Sequence, residues 1–211
     1  EAQITKERYD AWIREWIIEV GQHDAYLARL GKARVRAIHR AAEPDSWRED
    51  LERHAATLDP ERAAGSVEEM IVQAAREVAK RIAASGYRAV LAGAGQASLM
   101  CWLAAHRLRG EGIDFALLAE TGMYGFDPRP ADPFLTSYRN LPTCTMLTDV
   151  FEALGLHGCG GTNACMGTIG AGEIDRHGNV NSTRTAAGEF LVGSGGANDI
   201  VTSAAETVVV A

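Results

Sequence analysis

The apolar positions of the chain fall into two regimes that meet near residue 62. Up to there they recur at helical spacing and no convincing strand occurs. Tyr9, Trp12, Ile13, Trp16, Ile17 and Val20 form one stripe, and such a stripe requires a partner surface. A second pattern runs from His23 through Tyr26, Leu27, Leu30, Val35 and Ile38 and breaks at Glu43-Pro44-Asp45-Ser46. Trp47 to Leu58 follows as a charged, weakly amphipathic stretch. Residues 1–62 are therefore read as an all-helical segment and 63–211 as a separate domain.

From Ser66 the texture changes. Ser66-Val67-Glu68-Glu69 has the form of a capping box, and Met70, Ile71, Ala74, Val78 and Ile82 line one helical face that ends at Gly86. Tyr87 to Ala92 then reads as a short buried strand running into Gly93-Ala94-Gly95, and Ala97 to Leu108 restores helical spacing. Asp114 to Ala119 is a second apolar run too short for a helix, with Glu120 at its carboxyl end. Pro128, Pro130, Pro133 and Pro142 mark a long ordered loop over 126–142. Leu147 to Leu156 reads as a short helix, and a glycine-rich run from Gly158 to Gly172 leads into a strand-and-turn signal over Glu173–Asn181. Phe190-Leu191-Val192 and Thr207–Val210 complete the strand candidates. Helix, strand and glycine turn in succession specify an α/β fold, an open and mostly parallel sheet flanked by helices.

Composition narrows the function classes. The chain has 211 residues, 46% of them apolar, enough to bury a real core. A net charge of -7 with dispersed Lys and Arg argues against a nucleic-acid surface. No run approaches the roughly 20 apolar residues of a bilayer span and no signal segment opens the chain, so a cytoplasmic location without membrane contact is the expectation. Cys101, Cys144, Cys159 and Cys165 are too few for a disulfide framework and are expected to be reduced. An opening on Glu1 and an ending within Thr207–Ala211 are read as the ends of a piece of a longer protein.

Four features carry candidate chemistry. Gly93-Ala94-Gly95 follows a strand as a dinucleotide loop would, but Ser98 stands where the third glycine belongs, and two glycines serve a tight turn equally well. Glu120 is costly to bury without a reason, although backbone donors at a strand end also satisfy a glutamate. At the carboxyl edge of a parallel sheet it stands where ligands bind. The Gly193–Asp199 loop exposes successive backbone N–H groups that suit an oxyanion or phosphate, or simply a tight turn. Cys159 and Cys165 with His157 match no standard zinc spacing, so structural cysteines and no metal are expected. His23, His39, His54, His106 and His177 lack nucleophile or carboxylate partners at telling spacing and read as surface residues.

Taken in order, these features resemble the β half of class I coenzyme A transferases over Ser66–Ala211. The resemblance rests on Gly93-Ala94-Gly95, on Ala119-Glu120-Thr121-Gly122 with Gly125 where the family has a Ser-Glu-Asn-Gly-type motif, on Gly170–Asn181, and on Gly193–Asp199. Thr121 and Glu173 replace the family's asparagine and glutamine. Tyr9–Ile38, with His23–Leu27 and Leu30-Gly31, resembles the C-terminal tail of the α subunit of glutaconate-type members.

The resemblance implies that Glu120 is the catalytic nucleophile of an acyl-CoA:carboxylate transferase working through a covalent glutamyl-CoA thioester. It further implies oxyanion or coenzyme A contacts from the backbones of Gly195, Gly196, Gly95 and Gly93. Thr121 and Tyr124 become candidates for the acyl pocket. Coenzyme A is then a substrate and no permanent cofactor is needed. The partners are an acyl-CoA, a carboxylic acid and an α-subunit-like half, fused upstream or separate, within an oligomer. A hydrolase or ring-opening lyase acting on CoA esters, or a non-catalytic half, stays open as an alternative.

Overall fold

A computed structural model describes residues 5–43, 45–59, 61–129, 139–158 and 165–211. The chain divides into two compact units, Glu1–Arg53 and His54–Ala211.

In the first unit, α1 (Lys6–Ile13) continues into a π-helical turn, Arg14–Ile18, and is followed by α2 (His23–Ala42) and α3 (Ser46–Ala55). Gly31 interrupts α2 with φ 79° and ψ 154°. Neither α1 nor its π-helical extension buries a residue, and Trp12 is 51% exposed. The stripe read from the sequence is present as helix; what holds this unit is local. Trp16 meets Tyr26 edge to face, with ring centroids 6.3 Å apart, and the Arg29 guanidinium lies over the Trp16 ring.

The second unit is built on α4 (Ser66–Ser85), β1 (Ala89–Ala92), α5 (Gln96–Gly110), β2 (Ala116–Ala119), β3 (Met123–Tyr124), β4 (Met146–Leu147) and β5 (Cys165–Gly170). The hairpin β6 (Glu173–Ile174) and β7 (Val180–Asn181), then α6 (Ala197–Ser203) and β8 (Glu206–Val210), complete it. The six-stranded sheet has the order β4-β3-β2-β1-β5-β8. β2, β1, β5 and β8 are parallel, while β3 and β4 form an antiparallel edge. The α/β architecture with a mostly parallel sheet is as expected. Side-chain alternation sorts the strands onto two faces. Val90, Ala92, Leu117 and Met166 pack with α4 and α5, whereas Ala89, Leu91, Leu118, Cys165 and Ile169 pack with Ile200 of α6.

Several local expectations are corrected. Ser66 does not cap α4: the extended residue before the helix is Gly65, which makes no side-chain cap bond, and Glu68 pairs with Arg62 instead. The glycine-rich run contains β5, one of the four parallel strands. Its apolar pattern is diluted by Gly167, whose missing Cβ would lie 2.5 Å from Ile200 Cγ2, so the close seat of α6 demands the glycine. The expected helix at Leu147 starts three residues later, because Met146 and Leu147 pair with β3 and Asp149 Oδ1 accepts from the N–H of Glu152 as a cap. A π-helical turn follows over Glu152–Gly158. Phe190-Leu191-Val192 is no strand of a sheet; Phe190 forms one isolated bridge to Arg184 and is 63% exposed. Pro130 and Pro133 of the loop, and Cys159, lie outside the described residues.

Cys101 and Cys165 are buried. Burial pushes the Cys101 thiol up to about 12, against a smaller opposing effect of the hydrogen bond with Thr168 Oγ1 at 3.2 Å. The thiolate is the reactive form, so a maleimide at neutral pH is expected to leave Cys101 unmodified in the native protein and to label it after denaturation. Peptide mass mapping of both samples checks this, and native labelling of Cys101 would contradict the packing around α5.

Candidate active site

β2 ends in a tight hairpin. The Gly122 N–H donates to the Ala119 carbonyl at 3.0 Å, which places Glu120 and Thr121 at the two central positions of the turn, and β3 returns antiparallel with Ala119 opposite Met123. The turn depends on Gly122. Its φ is 102°, and a Cβ there would lie 2.0 Å from the Thr148 carbonyl oxygen, while the Thr148 N–H donates to the Gly122 carbonyl at 2.8 Å. Gly122→Ala is expected to cost more than about 2 kcal/mol of stability from backbone strain alone. A denaturant titration measures it; an unchanged midpoint would mean that the hairpin is not held against β4.

Alternation along β2 puts Glu120 on the face of Leu118, the face covered by α6. There the half-buried carboxylate meets Gly195-Gly196, 76 residues further along the chain at Gly196; the expected Gly193–Asp199 loop ends at this turn, because Ala197–Asp199 form the first turn of α6 behind the Gly196 N-cap. The Gly196 N–H donates to Glu120 Oε2 at 2.9 Å. Gly195 and Gly196 have no room to spare: a Cβ on Gly195 would stand 3.2 Å from Glu120 Oε1, and one on Gly196 2.3 Å from Oε2. Gly195 also has a φ of 51°, which side chains other than glycine rarely adopt.

The structure thus brings together Glu120, Gly195 and Gly196, three residues singled out in the sequence. Tyr124 joins them on the same face, since it pairs with Leu118 across β2 and β3 and is half-buried. Thr121 is exposed at the turn. Gly93 stands two residues beyond Leu91, the strand partner of Leu118, and so lies beside the Glu120 turn at the same sheet edge. Its N–H donates to the Thr168 carbonyl at 2.9 Å. Gly95, with φ 73° and ψ -132°, is the N-cap of α5.

The Gly170–Asn181 motif is likewise spent on structure. Asp175 Oδ1 accepts from the N–H groups of His177 and Asn179, and Asp175 Oδ2 accepts from Asn179 Nδ2. The Asn179 side chain foremost, and then these backbone donors, hold the Asp175 carboxyl below its usual range. Glu173 Oε2 accepts from Asn181 Nδ2 at 2.9 Å and from the Ala186 N–H at 2.7 Å. Among the described residues no three His, Cys, Asp or Glu side chains gather as metal ligands. None of the described helices is long and apolar enough to cross a membrane.

One neighbour of Gly196 carried no signal in the sequence. Leu154, on the π-helical turn, has its Cδ1 3.4 Å from the Cβ position of Gly196. A single leucine in a short amphipathic stretch gives no hint of a site; only the long-range meeting of this turn with α6 reveals it.

No protein-family model matches the chain, and no curated protein matches it in sequence. Solved structures do. Glutaconate coenzyme A-transferase from Acidaminococcus fermentans is 24% identical, with a TM-score of 0.53 over 69% of this chain and 55% of its own. An acyl-CoA transferase (YdiF) from Escherichia coli is 21% identical, with a TM-score of 0.49 over 70% of this chain and 25% of its own. The decarboxylase AibA/AibB is 19% identical, with a TM-score of 0.49 over 70% and 59%. This chain therefore spans about half the length of the glutaconate transferase chain. At such identities the likeness is one of fold: the chain has a class I coenzyme A-transferase-like fold.

Proposed function

We propose that this chain carries the catalytic part of an acyl-CoA:carboxylate coenzyme A-transferase, with Glu120 as the group that accepts the acyl unit. The observation that carries the reading is the Glu120 carboxylate on a hairpin turn at the carboxyl edge of the parallel sheet, with Oε2 held 2.9 Å from the Gly196 N–H. The transferase-like fold supports it.

A Glu120 oxygen attacks the thioester carbonyl of the acyl-CoA; the C–S bond breaks and an acyl-glutamyl anhydride and CoA thiolate result. The thiolate then attacks the glutamyl carbonyl, forming Glu120-CoA thioester and releasing the first acid as its carboxylate. An acceptor carboxylate reverses both steps and leaves as its own CoA ester. Glutamate suits this exchange because its carboxylate is the functional group of the acids being exchanged, so each step is nearly balanced.

The Gly196 N–H is fixed beside the oxygen on which negative charge develops when the glutamyl carbonyl is attacked. It therefore has the geometry of an oxyanion donor for the second half of the cycle. On this reading the half-exposed side of Glu120 faces the acyl group, and an α-subunit-like half completes the pocket within an oligomer.

The test is direct. The complete enzyme is incubated with acetyl-CoA or butyryl-CoA, treated with borohydride or hydroxylamine, and digested. The peptide containing Glu120 is expected to carry the modification in mass spectrometry, and an unmodified peptide alongside turnover would overturn the reading.

A further inference from the structure

The π-helical turn Glu152–Gly158 lies over β1, β2 and β5 and against α6. Ala153 is buried, while Leu154 is half-buried against the cluster that contains Leu118 and Ile200. The Cβ position of Gly196 is 2.3 Å from Glu120 Oε2 and 3.4 Å from Leu154 Cδ1, so the carboxylate, the glycine backbone and the leucine methyl converge on one notch. At Gly196 the notch thus sets a polar group, the N–H that donates to Glu120 Oε2, against an apolar one, the Leu154 methyl.

That composition bears on a competition every acyl-enzyme faces. Water reaching the glutamyl thioester forms a C–O bond, breaks the C–S bond and passes its proton to the departing thiolate, so the acyl-CoA is hydrolysed rather than used. A water molecule is held only where it finds two or more polar partners. Leu154 supplies none, and its methyl stands 3.4 Å from the Cβ position of Gly196.

We propose that Leu154 is a specificity-determining residue that keeps water from the Glu120 acyl intermediate on its Gly196 side, so that the intermediate awaits a carboxylate. The inference rests on Glu120 being the acyl acceptor.

It is tested in the complete enzyme charged with acetyl-CoA or butyryl-CoA, by measuring the lifetime of the Glu120 adduct without acceptor and the ratio of hydrolysis to transfer with acetate or butyrate supplied. Leu154→Ala is expected to raise that ratio roughly tenfold and shorten the adduct lifetime to match, the scale set by losing methylenes from an apolar site. Leu154→Met, which conserves volume, should stay near the parent. Leu154→Val, the mildest truncation, should move the same way by less and serves if the alanine variant folds poorly. A normal adduct whose lifetime and partition are unchanged in the truncations overturns the inference. A parent enzyme that turns over without any adduct overturns the acyl-acceptor reading itself, and shows this before a variant is made.

Discussion

Glu120→Gln is expected to lower turnover by at least about a thousandfold, the scale of losing a covalent nucleophile, and to abolish labelling of the Glu120 peptide. The substitution is chosen because it separates chemistry from architecture. The glutamine amide has the same shape, and its carbonyl oxygen still accepts the Gly196 N–H that now meets Oε2 at 2.9 Å. Stability should therefore stay within about 0.5 kcal/mol of the parent. What is lost is the anionic oxygen that the proposed mechanism directs at the thioester, because an amide oxygen is a poor nucleophile and the amide nitrogen has no free lone pair. Steady-state rates of acyl exchange, together with a thermal melt, measure both halves. Turnover close to the parent's would assign Glu120 a structural role, as a turn carboxylate satisfied by a backbone donor.

The ease with which sequence pointed to this residue has a physical basis, and so do the misses. Glu120 was legible because a charged group directly after Ala116-Leu117-Leu118-Ala119 breaks a buried strand at its carboxyl end, where open parallel sheets bind ligands. Gly195 and Gly196 were legible because a glycine cluster exposes backbone that side chains normally screen. Their meeting with Glu120 depends on α6 crossing the sheet face, which no local pattern encodes. β5 was hidden by the same residue type that marked the loop. Gly167 and Gly170 sit in a strand whose remaining side chains are small or apolar, and the packing of Ile200, Ala204 and Thr207 explains the first of them. Leu154 was hidden for the opposite reason, being an ordinary apolar residue made special by its neighbours. The antiparallel pair β3 and β4 escaped notice because two-residue strands have no measurable period.

Gly196→Ala is expected to reduce turnover about a hundredfold while leaving the fold intact, which makes it the most discriminating variant after Glu120 itself. The backbone at Gly196, with φ -83° and ψ 9°, is open to any residue, so alanine introduces no strain. Replacing glycine there should even stabilise by about 0.5 kcal/mol through the unfolded chain. The added methyl, however, would stand 2.3 Å from Glu120 Oε2, and the atom that yields is the end of a flexible side chain rather than backbone. The carboxylate must retreat by roughly 1 Å, and misplacement on that scale costs about two orders of magnitude where reacting atoms must be aligned. Because the displaced group is the nucleophile in the proposed mechanism and not the bound coenzyme, the loss should fall on kcat with KM for the acyl-CoA little changed. This contrasts with Gly122→Ala, in which the same methyl meets the Thr148 carbonyl oxygen, a backbone atom that cannot step aside. Measured together, the two variants distinguish a glycine needed for the hairpin from a glycine needed for the position of one oxygen. Unimpaired kcat in Gly196→Ala would show that Oε2 need not occupy the notch between Gly196 and Leu154, and would remove the Gly196 N–H from the oxyanion role.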